Sequence, residues 1–105
     1  MKISCHCEKV IVDQTDYLPN KGHIIPDKEW FSILDAIDDA IEKSGSTKKE
    51  KENACMEIRR IFNKLSKTAW QCSNCGSLYV DKTGHKLDWF QVGTEDTSKN
   101  IFKAS

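Results

Sequence analysis

Trp70-Gln71-Cys72-Ser73-Asn74-Cys75-Gly76-Ser77-Leu78-Tyr79-Val80 is the stretch whose reading decides the fold. A Cys-x-x-Cys pair lets one tight turn supply two thiolates to a single ion. Gly76 suits the exit from that turn because it tolerates positive φ. Leu78-Tyr79-Val80 then reads as a strand. The matching pair is Cys5-His6-Cys7, near the other end of the sequence. Cys5, Cys7, Cys72 and Cys75 together form the donor set of one tetrahedral four-thiolate site, with backbone amides of the turns pointing at the sulfurs to offset their charge.

Composition agrees with a small metal-stapled domain. A chain of 105 residues is read as one domain, 1–105, with a modest core that a structural metal reinforces. Sixteen acids balance sixteen bases, and neutrality argues against a free-standing nucleic-acid binder. No apolar run reaches the length of a membrane span, and no apolar segment follows Met1-Lys2-Ile3-Ser4 as a secretory signal would. With five cysteines and no export signal, metal binding or free thiols are expected rather than a disulfide framework, in a cytoplasmic setting.

Outward from the two knuckles, 1–13 reads as strand, turn and strand, with Lys9 to Asp13 as the second strand and His6 pointing away from the sulfurs. Residues 14–26, with Pro19, Asn20, Gly22 and Pro26, read as a loop, packed on the domain through Tyr17, Leu18, Ile24 and Ile25. A helix opens at Asp27. Its apolar stripe is Trp30, Ile33, Leu34, Ile37, Ala40 and Ile41, and Gly45 is placed at its left-handed C′ position. Thr47-Lys48-Lys49-Glu50 has the form of a capping box that starts a second helix running to about Lys67, with the stripe Ala54, Ile58, Ile61, Phe62 and Leu65. Cys55 is read as packing beside that stripe. A short connection makes the two helices an antiparallel hairpin over 27–67. Residues 68–92 complete the second knuckle with a hairpin turned at Lys82-Thr83-Gly84-His85, and 93–105 is a polar tail that Ile101 and Phe102 could anchor.

The stretch Cys72-x-x-Cys75-Gly76, with Trp70 before it and Leu78-Tyr79-Val80 after it, resembles the C-terminal knuckle of zinc-ribbon and rubredoxin-like proteins. The resemblance covers roughly a quarter of the chain. It implies one structural zinc ion, although a four-thiolate site also accepts iron. Two features depart from the family: the first knuckle is Cys-x-Cys, and a helical hairpin separates the halves. The fold class expected is therefore α+β, small zinc-ribbon-like β-hairpins with an inserted antiparallel α-hairpin. A thioredoxin-type redox pair opens a helix, whereas here a glycine and a strand follow, so the metal reading is preferred.

Nothing in the sequence specifies an enzyme. Four thiolates leave no open coordination position, His23 and His85 lack a readable catalytic partner, and no phosphate-binding glycine loop occurs. Charge is segregated. Residues 27–42 carry six acids against one base, and 43–67 carry eight bases against three acids. The plain reading is that the two helices pair these faces and solvate the rest. The sharper one is an acidic ridge, Asp35, Asp38, Asp39 and Glu42, that binds a basic protein partner, with Arg59, Arg60, Lys64 and Lys67 meeting phosphates or an acidic partner. In size and composition alone the chain also resembles short bacterial immunity proteins that neutralise toxins. The functional expectation is a non-enzymatic protein-interaction module, an immunity or inhibitor protein in its specific form. The alternative is a nucleic-acid-associated zinc ribbon, which the ribbon resemblance implies. Against it, no Lys or Arg lies in the knuckles, and most of Tyr79, Trp89 and Phe90 are expected to be core.

Overall fold

The computed structural model describes residues 1–14, 17–82 and 86–102. It has an α+β architecture: two helices and two antiparallel sheets. The chain divides into two compact units, Met1–His23 with Thr68–Ser105, and Ile24–Lys67.

In the first unit, β1 (Lys2–Ser4) and β2 (Val10–Val12) form an antiparallel ribbon. Alternation places Ile3 and Ile11 inward, and the register pairs them directly. The second sheet has the order β3-β4-β5-β6, from Lys21–Ile24, Lys67–Gln71, Leu78–Lys82 and Lys86–Phe90. Ile3, Cys5, Ile11, Trp70, Cys72 and Tyr79 make one buried cluster, with Leu18 and Leu87 packed against it. The metal-type cysteines are thus part of the core itself.

Two strands correct the sequence reading. Lys21–Ile24 lies within the expected loop but forms β3, and Asn20 joins it to β4 by accepting the Gln71 N–H at 2.8 Å and donating its side-chain amide to the Gln71 carbonyl at 3.0 Å. The second helix stops at Leu65, and Ser66 turns extended, so Lys67–Gln71 becomes an inner strand of the sheet. Tertiary pairing outweighs local propensity at both places. Tyr17, expected to pack, is exposed. The expected turn residues Thr83, Gly84 and His85 lie outside the described residues.

In the second unit, α1 (Asp27–Lys43) and α2 (Lys48–Leu65) pack on each other across a short connection. Thr47 caps α2, accepting the Glu50 N–H at 3.2 Å and donating its hydroxyl to the Glu50 carboxylate at 2.8 Å. Gly45 does not take the left-handed position expected of it. Ser44 ends α1 in an extended conformation, with its N–H and hydroxyl both on the Ile41 carbonyl. A side chain at Gly45 would meet the Glu50 carboxylate, the far end of an exposed side chain that can move aside. The α1 stripe is also narrower than its sequence. Ile33 is buried and Ala36, Ile37 and Ala40 are half-buried, but Trp30, Leu34 and Ile41 are exposed along with Phe31. A two-helix unit covers only part of a broad apolar stripe. Among the described residues no helix is long and apolar enough to cross a membrane.

Candidate metal centre

The first knuckle is the tip of the β1–β2 ribbon. Cys5 donates its N–H to the Lys9 carbonyl, and Glu8 donates back to the Cys5 carbonyl, each at 2.9 Å. The tight return forces Glu8 to a φ of 76°, unusual for a residue with a Cβ. The second knuckle joins β4 to β5. The Cys72 N–H meets the Ser77 carbonyl and the Gly76 N–H meets the Cys72 carbonyl, both at 2.8 Å. Gly76 sits at φ 84°, and a Cβ there would lie 2.8 Å from Val92. Here the glycine meets both a conformational and a packing demand.

The two tips converge. The sulfurs of Cys5, Cys7, Cys72 and Cys75 all lie within 4.8 Å of one another. Between knuckles, Cys5 lies 3.5 Å from Cys75 and Cys7 3.6 Å from Cys72, sulfur to sulfur. These are far longer than a disulfide bond of about 2.05 Å, and all five cysteines are free thiols. A zinc ion with sulfurs at about 2.3 Å has tetrahedral S–S edges of about 3.8 Å. The cross-knuckle distances are close to that edge, so four close cysteines of this geometry can hold a metal ion.

The surroundings sort the thiols. Burial pushes Cys5 up to about 11, against hydrogen bonds from the Cys7 N–H and the Tyr79 hydroxyl. The Asn74 side-chain amide, 3.5 Å from the Cys7 sulfur, and then the Lys9 N–H draw Cys7 down to about 6. At Cys75 burial pushes upward, but the Ser77 hydroxyl and N–H overcome it and the net displacement is downward. Backbone amides therefore do reach the sulfurs. The surroundings thus favour ionisation at Cys7 and oppose it at Cys5.

His6 departs from expectation. It is exposed, but its ring turns back onto the second knuckle. Its Nε2 is 2.8 Å from the Ser77 hydroxyl oxygen and 3.5 Å from the Cys75 sulfur, and Ser77 itself is 3.2 Å from that sulfur. Its backbone N–H donates to the Tyr79 hydroxyl at 3.2 Å. The ring centroid of Trp89 lies 4.7 Å from that of His6. A histidine between two cysteines and an asparagine inside the Cys-x-x-Cys are the sequence signals for this outer layer. The pairing of His6 with Ser77 is a product of the fold alone. Trp89 and Phe90, expected to be largely core, are 46% and 56% exposed, and only Tyr79 of the three is buried.

The remaining candidate residues belong to the helical unit. Asp35, Asp38, Asp39 and Glu42 are all exposed on α1, and Asp39 pairs with Lys43 at 3.1 Å. Among the described residues no ion pair joins α1 to α2, so the expected pairing of their charged faces does not form. Cys55, expected to pack beside the α2 stripe, is exposed. It lines a groove of about 750 Å³ with Ser46, Lys48, Lys51, Glu52, Met56 and Arg59.

A family profile covers residues 1–104. The chain belongs to DUF8617, a domain family of unknown function. No curated protein and no solved structure matches this DUF8617 chain.

Proposed function

We propose that this DUF8617 protein is a non-enzymatic protein-interaction module, stapled by one zinc ion on Cys5, Cys7, Cys72 and Cys75, that binds and neutralises or regulates a partner protein, a toxin in the specific case. The observation that carries the staple is the convergence of four sulfurs within 4.8 Å from two knuckles at opposite ends of the chain. Four thiolates fill a tetrahedral shell and leave no position for substrate, which favours a structural ion over a catalytic one. Zinc suits the site as a borderline-soft ion without geometric preference, and iron is the competing occupant.

The interaction reading rests on α1. Asp35, Asp38 and Glu42 stand exposed beside Phe31, Leu34 and Ile41. An apolar strip flanked by one sign of charge is suited to a basic amphipathic partner. A pull-down from native lysate, with and without nuclease, tests this reading. A stoichiometric protein partner that survives nuclease, and is lost when Asp35, Asp38 and Asp39 are reversed to lysine, is the expected result. Unaltered binding by that variant removes the ridge.

The second reading, a nucleic-acid-associated ribbon, is favoured by one observation: the half-exposed Trp89 ring beside His6, which could stack on a base. Partners lost on nuclease treatment would move it to first place. Metal content measured on the purified protein separates zinc from iron.

A further inference from the structure

The C-terminal segment 92–102 lies on the cysteine-bearing unit as a strap held at few points. Val92 and Phe102 are its only half-buried residues, and everything between them is exposed. Val92 and Lys99 stand over Gly76, where an added Cβ would lie 2.8 Å from the Val92 side chain and 3.2 Å from that of Lys99. The Phe102 ring rests on Gly22 of β3, in the space that a Cβ would fill. Between these anchors, Gln71 shares one buried amide between knuckle and strap. Its nitrogen donates to the carbonyls of Gly76 and Ser98, and its oxygen accepts the Ile101 N–H. Cys75 is the candidate ligand on this side. It lines a cavity of about 410 Å³ with Val92, Thr94, Glu95, Thr97 and Lys99, so every other wall residue belongs to the strap.

We propose that this strap closes the Cys75 side of the metal centre and sets how fast the ion exchanges. This rests on the zinc-staple reading above and adds the route by which the staple opens. Cys72 is fully buried and Cys5 nearly so, which leaves Cys75 and Cys7 as the half-buried sulfurs at which a competing donor can begin. A competitor that approaches Cys75 meets the strap, and Cys7 offers the rival route. Lifting the strap strips the Gln71 amide of two partners and uncovers Gly76, so it loosens the turn that carries Cys72 and Cys75. Such an opening is local, because few apolar contacts hold the segment down. Exchange itself is plain ligand substitution: a donor atom of the competitor replaces a thiolate, the thiolate takes a proton from water, and no electron changes hands.

Zinc transfer from the full, zinc-loaded chain to excess pyridylazoresorcinol, followed by absorbance beside hydrogen exchange at Ile101, tests the strap. Phe102→Ala removes an anchor without touching the knuckle. It should speed transfer by about tenfold or more, and Ile101 exchange by a similar factor, while the amides of β4 and β5 keep their wild-type protection. Gly22→Ala pushes the ring off from the other side. It should speed both quantities in the wild-type background and add little to Phe102→Ala, because the two changes break one contact. Transfer that keeps the wild-type rate while Ile101 exchange accelerates overturns the proposal and assigns the exit to Cys7. Acceleration that spreads to the β4 and β5 amides overturns it too, since the whole unit then opens. So does a Phe102→Ala variant in which neither rate moves. A wild-type chain that holds no metal ion removes the staple reading and the strap with it, whereas zinc held by every variant and released at one rate removes the strap alone.

Discussion

The sulfur of Cys5 lies 3.5 Å from that of Cys75, seventy positions along the chain. With Cys7 and Cys72 at 3.6 Å, this crossing links the ribbon β1–β2 to the knuckle between β4 and β5. The site therefore ties together the two segments that make the first unit, with the helical segment lying between them in sequence.

Replacing Cys72 with serine should release the ion and unfold that unit. Metal binding and folding are coupled by on the order of 10 kcal/mol in small metal-folded peptides. Metal stoichiometry and a thermal melt, read side by side, check this. A variant that melts with the wild type would remove the structural site. Cys55→Ala, on exposed α2 surface, should leave metal content unchanged.

Gly76→Ala should destabilise the first unit by about 2 kcal/mol, since it combines a left-handed backbone with a collision at Val92. Glu8 holds a similar φ without being glycine, so Glu8→Gly should be neutral or stabilising by about 0.5 kcal/mol. Denaturant melts of the metal-loaded proteins distinguish the two, and a loss at both positions would contradict the backbone argument.

Gln71 ties the C-terminal segment to the knuckle. Its buried amide donates to the Gly76 carbonyl at 3.1 Å and the Ser98 carbonyl at 2.8 Å, and accepts the Ile101 N–H at 2.9 Å. Gln71→Leu keeps the volume but strands these groups, at a cost of about 2–3 kcal/mol. Hydrogen exchange over 98–102 should accelerate while the metal is retained. Unchanged protection there would show that the segment is held by other contacts.

Asp13 accepts from Lys21 at 2.8 Å and from the Trp70 indole N–H at 2.9 Å. The Lys21 hydrogen bond first, and the indole second, hold its carboxyl below the ordinary 3.8. Its folded pKa is depressed, so its contribution to stability is present above about pH 4 and fades as pH falls through the lower folded value. Asp13→Asn should accordingly melt earlier than the wild type at neutral pH, with the gap closing in acid. A gap that is constant with pH would mean that the charge plays no part.

Much of the candidate site was legible because its signals are local. Cys-x-x-Cys-Gly and Cys-x-Cys each name a turn, and a turn fixes where its own sulfurs point. The helices were legible for the same reason: their period, the Pro26–Asp27 start and the Thr47–Glu50 cap all act within one or two turns of chain. The strands β3 and β4 were not. Lys21-Gly22-His23-Ile24 has little strand propensity, and its pairing comes from Asn20 and Gln71, which meet only after folding.

By itself, then, the sequence determined two thiolate-bearing turns, two amphipathic helices and an α+β class, because each depends on residues that are neighbours along the chain. Only the tertiary structure decided that the four sulfurs meet, that His6 turns onto Ser77, and that Gln71 fastens the tail. It also decided which apolar residues stay outside. Periodicity marks a stripe, but the area that a two-helix unit can cover sets how much of that stripe is buried, and Trp30, Leu34 and Ile41 lie beyond that limit.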